Sequence, residues 1–580
     1  MFKKKKLNYL TSNDIIVLGI TDGHNAGACL LKNGKIEYAI SEERISRIKN
    51  EAGYPKLAIE KILELSQVNP DDIHLVALAG KFSHEKKFYS NWDWYKVGYN
   101  DQIEYYKKKD TINFENRLNE RKKAIVEHLK INANKISVVE HHLSHAATAY
   151  LASPWINDEE VLVLTCDGSG DGICATVNLG KNGKINRISK TENKASIGKI
   201  YSRITLLLGM KPWEHEYKIM GLAPYADETG VKKSKDVLGE LLEIKDSSLE
   251  FNTKTELSTN FCYEFLKTRL ENHRFDWIAG GIQEMTEDLL LKWVTNALTK
   301  TGCKKVVCAG GVFMNVKANM RISELKSIED IFIFPSGGDE SLAMGAAMYT
   351  YSEILEKNGN KISLEPLGPI YLGMEFTDLE IEDEIKKSEL DDRFSVELVK
   401  DIDENTAELL SKGEIVARFN NKMEWGARSL GNRSILADPS KFETIREINL
   451  AIKQRDFWMP FAPSIISEKQ EKYIENPKKI KAPYMVMGFH TKENAQKDLV
   501  SAMHQYDFTI RPQLLEEKDN PSYYNLIKNF EKNTGISAVL NTSFNLHGYP
   551  IVGSPIDAIS TLKKSGLKHL AIGNYLISKK

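Results

Sequence analysis

Two histidines four residues apart, His141 and His145, sit in the stretch Glu140-His141-His142-Leu143-Ser144-His145-Ala146-Ala147. On a helix this spacing puts both imidazoles on one face. Two neutral imidazoles there make half of a metal site. The alternative is a pair of core or capping histidines. Asp167 and Asp339 bear on the choice, because each lies in a glycine-rich turn just after an apolar run (Asp167-Gly168-Ser169-Gly170-Asp171-Gly172 and Ser336-Gly337-Gly338-Asp339). Asp339 opens an expected helix and could be only its N-cap. As a ligand it would complete a set of two nitrogens and two oxygens with open positions, which zinc or manganese would also accept.

A second group lies after residue 410. Arg418, Arg428, Arg433, Lys453 and Arg455 stand beside glycines and aromatics and not in a solvated run. Arginine forks match phosphate geometry. The functional reading is an anionic pocket for a nucleotide and a small phosphate; the other is separate buried salt bridges to Glu424, Asp438 or Asp456. Asn541, Ser543 and Asn545 follow an apolar strand and offer hydrogen bonds to a sugar, base or phosphate, unless they only form an Asx or ST turn.

These residues need elements to hold them. Ile15–Thr21 reads as a buried strand, followed by an Asp-Gly turn with His24, a second strand and the hairpin signal Lys32-Asn33-Gly34-Lys35-Ile36. Val161–Cys166, Asp167-Gly168, another strand and Lys181-Asn182-Gly183-Lys184-Ile185 repeat the pattern. An internal duplication is the cheapest explanation, against coincidence of two common hairpins. Two such halves describe an actin-like or sugar-kinase-like α/β fold, in which phosphates lie between the halves. Residues 195–300 read as mainly helical, except Glu216–Tyr225, expected as a Gly/Pro-punctuated loop whose Lys218 lines a cleft. Gly310-Gly311, after a strand and before a helix, would let a ligand approach backbone. Asn358–Lys361 and Pro366-Leu367-Gly368-Pro369 read as a joint, giving domains 1–360 and 361–580.

Composition bounds the function. The chain has 580 residues, 42% hydrophobic and 27% charged, with a formal net charge of -1. That length needs two or more domains. A nearly neutral chain gives no reason to expect a nucleic-acid or membrane surface. Six cysteines without a CxxC pair fit buried thiols in a reducing, cytoplasmic compartment. The run after Met1-Phe2-Lys3-Lys4-Lys5-Lys6 is too short and too interrupted for a signal peptide.

Taken together the motifs resemble the O-carbamoyltransferases of the nodulation and antibiotic-tailoring type. The carrying residues are His24 in HNAGACL, Glu42–Arg47 (EERISR), His141–Ala147 (HHLSHAA), Asp167–Gly172 (DGSGDG), Tyr217–Tyr225 (YKIMGLAPY), Gly310–Asn315 (GGVFMN), Ser336–Ser341 (SGGDES), Glu424–Pro439 (EWGARSLGNRSILADP) and Asn541–Gly548 (NTSFNLHG). The resemblance runs in order over most of the chain. It implies a duplicated, actin-like N-terminal domain similar to the metal-dependent enzyme of tRNA threonylcarbamoylation, and an α+β C-terminal domain similar to the enzyme that makes threonylcarbamoyl adenylate. By it, the C-terminal domain makes carbamoyl adenylate from carbamoyl phosphate and ATP with Mg2+, and the N-terminal domain passes the carbamoyl group to a hydroxyl of a small, sugar-containing acceptor. The implied metal is Fe2+ on His141, His145, Asp167 and Asp339. His24 is the implied catalytic histidine. Lys218, Gly310, Gly311, Asn315 and Gly338 would hold the adenylate, and Arg418, Arg428, Arg433, Lys453, Arg455, Asn541, Ser543 and Asn545 the ATP and carbamoyl phosphate. A homodimer is left open. Met459 stands where the family has arginine, and Tyr549 where it has glutamate. The rival readings are a sugar-kinase-like phosphotransferase, a metal-dependent hydrolase and a nucleotide-binding scaffold.

Overall fold

In a computed structural model of the chain, residues 14–84, 86, 89, 96, 114–157 and 160–580 are described. The first sheet has strands β1 (Ile16–Thr21), β2 (Gly27–Lys32), β3 (Lys35–Ser41), β4 (Leu75–Ala79) and β5 (Ile136–Val139), in the order β3-β2-β1-β4-β5. The second has β6 (Val161–Gly170), β7 (Ile173–Lys181), β8 (Lys184–Glu192), β9 (Lys305–Ala309) and β10 (Asp330–Ile333), in the order β8-β7-β6-β9-β10. In both sheets the first three strands form an antiparallel meander and the last two pair in parallel. The strand order of the two sheets is therefore the same.

The Asn-Gly hairpins form where the sequence puts them. Asn33 and Gly34 have φ of 50° and 82°, and Asn182 and Gly183 have 50° and 75°. Positive φ at both central residues is the type I′ requirement, and it matches strand twist. Lys32 pairs with Lys35, and Lys181 with Lys184.

Two helices fill the space between the sheets. His141–Leu151 packs on β6 and β7, and Leu342–Lys357 packs on β1, β2 and β4; the helices also pack on each other. Ala146, Ala147 and Ala149 are fully buried. The approach is so close that a Cβ on Gly345 would lie 1.9 Å from the Ser144 carbonyl oxygen. Neither backbone has room to yield in a core this dense. Gly345→Ala is expected to cost about 1–3 kcal/mol, read as a lower urea midpoint, because it pushes the histidine helix off its partner.

The third sheet has eight strands: β11 (Phe394–Leu398), β12 (Val416–Phe419), β13 (Arg433–Ala437), β14 (Ala462–Ile466), β15 (Gln513–Leu515), β16 (Ala538–Ser543), β17 (His569–Ile572) and β18 (Tyr575–Lys579). Their order is β11-β18-β17-β12-β13-β16-β14-β15. Residues 358–377 carry neither helix nor strand. They are not a solvated joint, since Ile362, Leu364, Ile370, Leu372 and Met374 are buried. The seam between this part and the first two sheets is closed largely by side chains donating to backbone carbonyls. Arg47 donates to Ile551 and Pro550, Arg44 to Gly426, Lys478 to Ser323, Leu325 and Ile328, and Asn319 to Val486.

One sequence expectation fails here. Glu216–Leu222 is an α-helix, followed by a 3-10 turn at Ala223–Tyr225, not an open loop. Pro224 falls in the first turn of the short 3-10 segment, where its missing N–H costs nothing. Gly221 lies against Trp458 and Met459 of the third-sheet part. All six cysteines are free and buried. No helix among the described residues is long and apolar enough to cross a membrane.

Candidate active site

The histidine helix starts under two constraints. Glu140 caps it by accepting from the amides of His142 and Leu143, and the Asp171 carboxylate accepts from the amide of His141 at 2.9 Å. Those bonds fix the first turn, and the spacing of four then aims both rings at the same point. Asp167 arrives from β6. Asp339 arrives from a 3-10 turn, Asp339–Ser341, before the second helix. It caps nothing; its side chain faces the histidines. His141 Nε2 is 3.2 Å from Asp167 Oδ2 and 3.5 Å from Asp339 Oδ1. His145 Nε2 is 3.6 Å from Asp339 Oδ1. One donor atom from each of the four residues falls within 4.8 Å of all the others.

The electrostatics of the cluster fit a cation. Both ring nitrogens of the fully buried His145 lack a hydrogen-bond partner among the described residues. A buried imidazole without partners is costly unless a ligand is supplied. Burial would lower the His141 pKa, but Asp339 and then Asp167 outweigh it and push it up to about 9. Burial likewise opposes ionisation of both carboxylates. Even so, the histidines hold Asp167 well below the usual carboxylate range, and His24 with His141 holds Asp339 below it. A proton on His141 thus supplies the positive charge that two buried carboxylates demand. His142, one residue along, is different: it bonds Thr165 and the Ile173 carbonyl, and burial keeps it neutral.

His24, on the turn after β1, places Nε2 3.2 Å from Asp339 Oδ2. Its Nδ1 is buried without a partner among the described residues. Asp167 Oδ1 accepts from the Gly311 amide at 3.0 Å, tying the cluster to the glycine turn. Gly311, Asn315, Gly338 and Lys218 all line the cavity beside it. Gly310 is not among the lining residues. Its φ is 108°, and a Cβ would lie 2.2 Å from the Cys166 carbonyl oxygen, so the position is glycine to let two strands' ends meet. Lys218 Nζ pairs with Asp456 at 3.0 Å across the seam.

The same cavity, about 980 Å³, continues into the third-sheet part. Arg428, Lys453, Arg455, Ser543 and Asn545 line it there. Arg511 also lines it, and nothing in Ile510-Arg511-Pro512 announced it. None of these four cations pairs with a carboxylate among the described residues. Arg428 Nε is buried without a partner. Among the described residues the Arg455 side chain donates only to Thr542, that of Arg511 only to the Met485 carbonyl, and that of Lys453 to Ser543 and Asn545. Burial first, and then their mutual repulsion, lowers the pKa of Arg511, with Arg428 and Arg455 as the repelling neighbours. Burial brings Arg428 down to about 10. Four clustered cations, Lys453 buried and the three arginines half-buried, with no counter-charge among the described residues call for an anion.

Three other expected members of that pocket stand elsewhere. Arg418 donates to the Gly431 carbonyl, Asn432, Asp403 and Ser522. Arg433 donates to the carbonyls of Asn420, Asn421 and Met374 and stacks 3.7 Å over the Phe419 ring. Asn541 is spent on Ser429 and Ser464. All three are buried and absent from the cavity wall. These side chains brace loops, because the terminal nitrogens of both guanidiniums are spent on protein acceptors, although Arg433 Nε has no partner among the described residues. Arg418→Met is therefore expected to leave Asp403 with the Ser522 hydroxyl in place of its ion pair and cost about 1–3 kcal/mol of stability, seen in urea unfolding, with the KM for ATP unchanged.

Sequence reading also missed Lys199 and Trp213 on the cavity wall. Burial, then Arg203, lowers the Lys199 pKa to about 8. Met459 and Tyr549, the two departures from the family pattern, both line the cavity; Met459 is nearly buried against Gly221.

Comparison with known proteins gives a consistent result. The profile of the carbamoyltransferase N-terminus matches residues 16–348, and that of the carbamoyltransferase C-terminus matches residues 407–579. An uncharacterised protein of Methanocaldococcus jannaschii is 32% identical over 569 residues, covering 97% of this chain and 100% of its own. The nodulation protein NolNO of Sinorhizobium fredii is 28% identical, covering 96% of this chain and 79% of its own. The 3'-hydroxymethylcephem-O-carbamoyltransferase of Amycolatopsis lactamdurans is 24% identical, covering 46% of this chain and 47% of its own.

Proposed function

The chain belongs to the carbamoyltransferase family, and from that premise we propose that it makes carbamoyl adenylate from carbamoyl phosphate and ATP, then transfers the carbamoyl group to a hydroxyl of a small, sugar-containing acceptor. The observation that carries the reading is the shared cavity. It joins a four-residue metal-type cluster to four largely enclosed cations without carboxylate partners among the described residues. Domains 1–360 and 361–580 divide the work. The common strand order of the first two sheets supports a duplicated, actin-like first domain. The second domain forms the adenylate.

In the second domain Arg428, Lys453, Arg455 and Arg511 bind the phosphates of ATP, carried with Mg2+, and of carbamoyl phosphate. The atoms balance when water cleaves carbamoyl phosphate to carbamate and inorganic phosphate, and a carbamate oxygen then displaces pyrophosphate from the α-phosphorus of ATP. Neutralising charge that builds on the phosphates is the chief service such a site gives. Carbamoyl adenylate is a mixed anhydride that water destroys, so making and using it in one enclosed space preserves it.

In the first domain His141, His145, Asp167 and Asp339 would hold a divalent metal, Fe2+ by family resemblance. When bound, it supplies Lewis-acid polarisation at the carbamoyl oxygen or the adenylate phosphate. Gly311, Asn315, Gly338 and Lys218 hold the adenylate. The acceptor oxygen attacks the carbamoyl carbon, and AMP leaves. His24 keeps Nε2 against Asp339, so Nδ1 is the atom that takes the acceptor's proton. The buried thiols suit a cytoplasmic enzyme.

Carbamoyl-phosphate-dependent exchange between ATP and labelled pyrophosphate is the test. The reading requires it, and a sugar-kinase-like phosphotransferase or a hydrolase would not give it. Absence of exchange with full ATP occupancy sinks the proposal.

A further inference from the structure

Trp213 stands in the left-handed region, with φ of 66°. A bulky residue adopts that backbone only where its surroundings dictate it, and such positions gather at functional sites. Two contacts dictate it here. Its amide donates to Glu216 Oε1 at 2.7 Å, at the start of the helix Glu216–Leu222. Its indole lies 4.9 Å from the His24 ring, the planes 22° apart. Tyr89 meets the His24 ring edge-on at 5.8 Å.

Both stacked rings line the cavity and come from segments distant in sequence. His24 belongs to the turn after β1, and Trp213 precedes a helix that lies between β8 and β9 in the chain. Apart from the edge-on ring of Tyr89, His24 is held by the 3.2 Å contact to Asp339. A ring held by one hydrogen bond can still swing about that bond. A parallel aromatic face removes the swing, since stacked pairs prefer a defined separation and tilt. We propose that Trp213 is a positioning residue for His24: the strained turn delivers the indole that fixes the imidazole plane, so that Nδ1 faces the acceptor hydroxyl. This rests on the reading of His24 as the proton acceptor in transfer.

The test uses the full chain labelled with [ring-2-13C]histidine, with the His24 signal assigned by its loss in His24→Gln. Stacking under the indole shifts that C–H signal upfield. Trp213→Ala is expected to move it downfield toward the free-histidine position, and Trp213→Phe to keep most of the shift. With glycerol as the acceptor probe, Trp213→Ala should lower kcat at least about tenfold, as a small misplacement of a reacting group does, with KM within about twofold and exchange unchanged. Trp213→Phe should recover to within about threefold of the parent. An unmoved His24 signal in Trp213→Ala overturns the proposal. So does a raised KM with kcat intact, which would make the indole an acceptor wall only. If Trp213→Ala fails to fold, Trp213→Phe against Trp213→Leu carries the same comparison. If the parent shows no exchange and no transfer, the carbamoyl-transfer reading fails, while the His24 signal still decides whether Trp213 sets the ring.

Discussion

His145→Ala is expected to abolish transfer to the acceptor and to leave carbamoyl-phosphate-dependent exchange within about twofold of the parent. The ring is fully buried and makes no hydrogen bond among the described residues. Its removal costs one metal ligand and leaves a small cavity, but touches nothing in the third-sheet part. Divalent metal affinity should fall by about 100-fold or more, since even losing a partner of a ligand costs about 10–100-fold. Competition against a chromophoric chelator reads the affinity; acceptor carbamoylation and pyrophosphate exchange read the two half-reactions. Equal loss of both half-reactions would mean that the division of labour between the domains is wrong. His141→Ala should behave alike, with a second consequence. His141 bonds Asp167, so its loss also frees that carboxylate.

Arg428→Ala should do the reverse. Exchange is expected to fall about 100- to 1,000-fold, the loss typical of one charge-stabilising donor in an enclosed site, while metal affinity stays unchanged. Arg428 is the strongest test among the cations. Its Nε has no partner among the described residues, as is true of Arg433, but Arg433 spends its terminal nitrogens on the Asn420 and Met374 carbonyls and Arg428 does not. Removing it relieves repulsion on Arg455 and Arg511, so the protein should be no less stable. A large drop in the unfolding midpoint with exchange intact would assign Arg428 to the scaffold, beside Arg418 and Arg433.

The contrast among these arginines shows where sequence reading stops. Arg418, Arg428, Arg433 and Arg455 sit in equally glycine- and aromatic-rich surroundings. What separates them is whether loop carbonyls distant in sequence satisfy the guanidinium, and no local pattern encodes that. Arg511 and Trp213 were invisible for the same reason. One follows an ordinary isoleucine, and the other owes its role to a backbone angle that Glu216 helps impose from three residues away. The Glu216–Leu222 helix was misread because Gly221 and Pro224 look like breakers when the packing of Gly221 on Met459 is unknown. The hairpins were legible because Asn-Gly satisfies a backbone demand that few other pairs meet. The histidine face was legible because four residues is close to a helical turn.

The central claim is that two imidazoles and two carboxylates from distant parts of the chain hold one cation beside an adenylate pocket. An anomalous-difference map from crystals grown with Mn2+ and AMP tests it directly. The account predicts one strong peak within bonding distance of the His141 and His145 Nε2 atoms and of carboxylate oxygens of Asp167 and Asp339. A peak elsewhere, or none in protein shown to carry stoichiometric metal, would contradict it.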